Sequence, residues 1–105
     1  MTDMDGIFYL ANSFNQNISS WNTSKVTNMD KMFSNARAFN QNIGSWDVSK
    51  ISSMGSMFNE ATSFNQDIGN WDVSNVTNMS NFSSYSFDNL GDSSISGWTT
   101  SAVTN

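Results

Sequence analysis

Asp47 and Asp72 are the residues of this chain best placed to do chemistry, because they stand one period apart in a sequence that repeats every 25 residues. On neighbouring parallel strands two such carboxylates lie about 4.8 Å apart. That pairing could hold calcium, which takes six to eight oxygen ligands, or let one acid keep its proton beside a like charge and act as a general acid. Neither reading finds support. Asn22 precedes the pair in the column and Thr99 follows it, so the cage is too poor in acid. The chain has no histidine and no cysteine, so no nucleophile, base and orienting group can be assembled. The sequence therefore argues against an enzyme, and no cofactor and no metal are expected. What remains is binding. Asn22, Asp47, Asp72 and Thr99 form one outward column, Ser24, Ser49, Ser74 and Ser101 the next, and Ser20, Ser45, Asn70 and Gly97 a third. Their hydroxyl, amide and carboxylate groups suit a glycan or a polar protein surface. The competing reading is a solubilising, turn-compatible surface with no ligand.

The elements that must position these columns follow from the repeat. Residues 39–63 read FNQNIGSWDVSKISSMGSMFNEATS, residues 14–38 read FNQNISSWNTSKVTNMDKMFSNARA, and Phe64 opens a third copy. Phe14, Phe39 and Phe64 share a column, as do Trp21, Trp46 and Trp71, and Met29, Met54 and Met79. A fixed period of this size is the signature of stacked units that bury their apolar sides against one another. Trp46, Asp47, Val48 and Ser49 alternate with period two, which predicts a short strand with Trp46 and Val48 inward. The apolar spacing across Met29–Ala36 and Met54–Ala61 predicts short helices, with Asn28 and Ser53 as N-caps. Strands joined through helices must run parallel. The expected fold is thus an α/β solenoid, a stack of about four strand-plus-short-helix units with one parallel sheet. The chain reads as one domain over 1–105: a partial unit over 1–13, units at 14–38, 39–63 and 64–88, and an atypical partial unit over 89–105. Asn15–Gln16, Asn40–Gln41 and Asn65–Gln66 recur at the returns, where stacked side-chain amides can serve turn backbone.

Charge narrows the partners. The formal net charge is −5, and the cations are Lys25, Lys31, Arg37 and Lys50. That balance disfavours nucleic acid and an acidic membrane surface. No run approaches the ~20 apolar residues of a membrane span, so membrane insertion is not expected. MTDMDGIFYLANS lacks the basic start and apolar core of a signal peptide.

From Ile43 onward the apolar skeleton is I-x-x-W-x-V-x-x-I-x-x-M-x-x-M-F-x-x-A-x-x-F. It resembles the BspA-type leucine-rich repeat and, more closely, the bacterial surface protein repeat with WDVSxVTNMxxMFxxAxxFNQDIG wording. The resemblance spans nearly the whole chain. It implies a right-handed solenoid of leucine-rich-repeat type, display outside the cell or at its surface, and adhesin-like binding of a protein or glycan without catalysis. A second expectation rests on the ends of the stack, which offer apolar surface and unpaired edges. It is a structural subunit that decorates or assembles a virion or other particle, with a place on the virion surface and end-to-end contacts.

Overall fold

Met29–Ala36, expected as a helix, is instead a succession of tight turns. In the computed structural model, which describes residues 2–82 and 103–104, no helix and no extended strand occurs among the described residues. The hydrogen bonds show why. The N–H groups of Met29, Lys31, Phe33 and Asn35 donate to the carbonyls of Ser53, Gly55, Met57 and Asn59, at 3.0, 2.9, 2.9 and 2.8 Å. The intervening Met32, Ser34 and Ala36 donate three residues back, to Met29, Lys31 and Phe33. Every second donor is therefore committed to a segment 24 residues away, and an i to i−4 ladder cannot form.

Backbone conformation enforces the same outcome. Lys31 and Asn35 have φ of 59° and 60°, Ser56 and Glu60 have 56° and 58°, and Leu10 and Asn81 have 62° and 54°. A left-handed residue at every fourth position reverses the chain before a helical turn can propagate. Gly6, at φ 66°, fills one of these columns with the residue that does so without strain. Lys31, Ser56 and Asn81 fill it with side chains. Lys31→Gly and Ser56→Gly should each therefore stabilise the fold by about 0.5–1 kcal/mol, since relief of the left-handed penalty exceeds the added freedom of the unfolded chain. Chemical denaturation checks this, and a lowered midpoint for both variants would show that the turn geometry is wrong.

The strand expectation fails too. Among the described residues parallel pairing is confined to isolated bridges, Asp3 to Asn28, Asn28 to Ser53 and Ser53 to Asn78. On either side of each bridge the chain turns, as where Trp46 N–H donates to Ile43 and Ile51 N–H to Val48. The α/β solenoid of leucine-rich-repeat type, with strand-plus-helix units and one parallel sheet, is accordingly corrected. The chain is a compact body of turns with a radius of gyration of 12.3 Å and extents of 33 × 31 × 22 Å, close to the ~13 Å of a compact chain this long.

Aromatic packing carries the core. Phe33 stacks between Phe8 and Phe58 with ring centroids 5.6 and 5.5 Å apart. Phe39 lies between Phe14 and Phe64 at 5.9 Å from each. The two files touch at Phe33 and Phe39, 4.1 Å apart. Met29, Met32, Met54, Met57, Ile43 and Ile68 close around them, fully buried. The indole N–H groups of Trp46 and Trp71 donate to the carbonyls of Ile18 and Ile43 at 3.1 and 3.0 Å, so the rings bury their apolar area without stranding the donor. The amide pairs add polar rungs. Asn15 Oδ1 accepts from Asn40 N–H and Gln41 Nε2, and Asn40 Oδ1 does the same for Asn65 and Gln66. A further set of rungs runs Thr27 to Thr2, Ser52 to Thr27, Thr77 to Ser52 and Thr104 to Thr77, at 2.8 or 2.9 Å.

Candidate functional site

Trp46 and Val48 are buried and Asp47 between them is exposed, so the outward direction of Asp47 is set by its neighbours' burial. Thr23, itself buried, donates its hydroxyl to the Asp47 carbonyl at 3.0 Å, tying this segment to the preceding one. The carboxylate then locks its own turn. Asp47 Oδ1 accepts from Ser49 N–H at 3.0 Å and from the Ser49 hydroxyl at 2.6 Å. Asp72 repeats the geometry with Ser74, at 3.1 and 2.6 Å, and Asn22 repeats it with Ser24, at 3.1 and 2.6 Å. These are Asx turns, in which a short polar side chain accepts a bond from backbone two residues on. The face is made of turns rather than strands.

The same bonds set the electrostatics. The Ser49 hydroxyl and then the Ser49 N–H hold the Asp47 carboxyl below the usual aspartate range; desolvation opposes them, and the Lys50 charge adds the least. Asp72 is lowered by the Ser74 hydroxyl and N–H, while desolvation and, less, the charge of Asp47 act in the opposite sense. Hydrogen bonds to the charged form favour it. Both acids are therefore anions through the mildly acidic range. The stability their turns contribute is present above the ordinary aspartate pKa and is lost as pH falls through the lowered one.

The structure thus brings Asn22, Asp47 and Asp72, with Ser24, Ser49 and Ser74, into one register. Thr99, Ser101 and Gly97 lie outside the described residues. The serines are consumed in holding the acids: each hydroxyl donates to its own column partner, so they position the carboxylates instead of offering free donors. Ser45 and Asn70 contribute instead to an open cleft of about 350 Å³, whose other walls are Asn42, Gly44, Gln66 and Asp67. Sequence reasoning placed Ser45 and Asn70 outward but missed the cleft, although the Asn17, Asn42 and Asp67 column was there to be read. Asn42 and Asp67 are occupied with the N–H of Gly44 and Gly69, and Gln66 donates to Asn40, so the cleft walls are largely self-satisfied. Among the described residues no three acidic side chains converge to hold a metal ion. With no helix among the described residues, none there is long and apolar enough to cross a membrane.

Against this geometry, comparison with known families gives one result. The family described as "Mycoplasma protein of unknown function, DUF285" matches over residues 1–92 and again over 70–105. The chain belongs to that family. Comparison with curated proteins finds no match, and comparison with solved structures finds none either.

Proposed function

We propose that the chain is a non-enzymatic interaction module that binds a protein or glycan partner through the Asn22, Asp47 and Asp72 file. The observation that supports this reading is the pair of exposed carboxylates on one register, each fixed through Oδ1 by its own serine. Both residues are exposed. Ordered acceptors lose less side-chain freedom on binding than mobile ones. They favour partners rich in donors: lysine or arginine side chains, or the hydroxyls of a glycan. The resemblance of the WDVSxVTNM wording to bacterial surface protein repeats points to the same class and to display at a cell surface.

Asn22 supplies the test, because it makes the same two bonds without a charge. Asp47→Asn with Asp72→Asn should keep both turns and leave the thermal midpoint nearly unchanged, while affinity for a basic or hydroxyl-rich partner falls at least tenfold. Peptide and glycan arrays probed with both proteins read this out. Equal binding by the two proteins, or no binding by the parent, would sink the proposal. Asp→Lys exchanges are less informative, since they also break the Asx turns.

A further inference from the structure

The cleft between residues 42–45 and 66–70 is held open by its own bonds. Asn42 Oδ1 accepts from Gly44 N–H at 2.9 Å, Asp67 Oδ1 accepts from Gly69 N–H at 2.8 Å, and Gln66 Nε2 donates to Asn40. Those bonds leave a second set of groups. Asn42 Nδ2, Gln66 Oε1, Asp67 Oδ2 and the side chains of Ser45 and Asn70 make no hydrogen bond among the described residues. Donors and acceptors thus stand together around a space of about 350 Å³, on side chains whose backbone is already fixed.

Gly44 sets the width of that space. A Cβ at this position would lie 2.5 Å from the Asp67 carbonyl oxygen and 3.3 Å from Asn42 Oδ1, so only glycine lets the two walls approach this closely. Ser45 and Asn70 are exposed beside the buried Trp46 and Trp71. Asp47 and Asp72 follow each of them by two residues, a reach of at most about 7 Å along the chain. The cleft and the carboxylate file are therefore neighbours.

We propose that this cleft is a subsite for one neutral sugar ring, a hexopyranose, and that the partner of the module is a glycan. The choice of glycan over protein rests on the reading of the Asp47 and Asp72 file as a binding surface; the cleft site itself does not. Its lining selects the ligand. None of the six lining residues is a cation and one is a carboxylate, so an anion finds repulsion and no partner. No apolar side chain lines it, so an apolar ligand would strand the polar groups it covers. An ammonium or guanidinium would suit Asp67 but carries donors only, and would leave the amide N–H groups of Asn42 and Asn70 facing other donors. Hydroxyls both donate and accept, and Asp67 can take a charge-assisted bond from one of them. The volume lies at the lower end of the ~300–1,000 Å³ of ligand pockets, which fits a single ring and makes any longer chain continue outside.

The test follows the backbone amide shifts of the full chain during titration with the methyl hexopyranosides of gluco, manno and galacto configuration. At least one should give saturable shifts at residues 42–45 and 66–70, unchanged by added salt because the ligand is neutral. Ser45→Ala and Asn70→Ala should each weaken that binding by about threefold to tenfold, the loss of one hydrogen bond. Both should leave the melting temperature in place, since neither side chain has a partner to lose. Asp67→Asn should weaken it as well while keeping its turn, because Asn42 already makes the equivalent bond to Gly44 N–H without a charge. Asp47→Asn with Asp72→Asn should bind the pyranoside as the parent does, so the cleft and the file succeed or fail separately. The proposal is overturned if none of the three glycosides shifts the cleft amides, or if Ser45→Ala and Asn70→Ala bind as well as the parent. It is also overturned if ethylammonium binds there more tightly than every glycoside, or if the Asp47 and Asp72 exchanges abolish the cleft shifts.

Discussion

Phe33→Ala is expected to cost about 3–5 kcal/mol, the range for removing a buried phenylalanine from a core that cannot collapse around the gap. Phe33 is fully buried. It touches four rings at once: Phe8 at 5.6 Å, Phe39 at 4.1 Å, Trp46 at 6.4 Å and Phe58 at 5.5 Å. Each of those rings is held by backbone bonds to its own neighbours, so relaxation into the void is limited. Against a total stability of about 5–15 kcal/mol for an ordinary domain, the loss is a large fraction and should appear as a greatly lowered urea midpoint. Phe8→Ala, at the partly covered end of the same file, should cost about half as much. A loss below about 1 kcal/mol for Phe33 would mean that the rings do not form a continuous packed file.

Trp46→Phe should destabilise by about 2 kcal/mol, combining a lost buried hydrogen bond with the smaller ring's missing volume. The bond is that from Trp46 Nε1 to the Ile18 carbonyl at 3.1 Å, and Trp71 makes the same contact with Ile43. Trp21 provides the control. It is partly exposed and its indole N–H finds no acceptor among the described residues, so Trp21→Phe should cost less than about 1 kcal/mol. Equal losses for Trp21 and Trp46 would remove the indole bond from the account. Fluorescence of the remaining tryptophans allows all three variants to be compared in one denaturation series.

Much of this core was legible because column burial needs only a period and residue types. Phe33, Phe58, Met29, Met54, Trp46 and Trp71 repeat at a constant spacing and are buried together. The inward Trp46 and Val48 and the outward Asp47 followed from simple alternation. The local conformation was less legible. The spacing of Met29, Met32, Phe33 and Ala36 fits a helix, and nothing in Lys31, Ser56 or Glu60 as residue types announces a left-handed backbone. Lys31 and Ser56 are held by partners 24 residues away, which a local pattern cannot reveal. Other signals were present but overlooked. Asp-Val-Ser at 47–49 and again at 72–74, read as strand, also has the spacing of an Asx turn. Tyr9 and Leu10 break otherwise polar columns and are exposed.

The rung from Thr104 to Thr77 joins residues 27 apart, whereas the three before it join residues 25 apart. Two extra residues are therefore absorbed without loss of the closing contact. Spacing is gauged where threonine and serine backbones meet, not tallied along the polypeptide. The register of these contacts is thus set by backbone meeting backbone, and a difference of two residues in chain length leaves the final one in place.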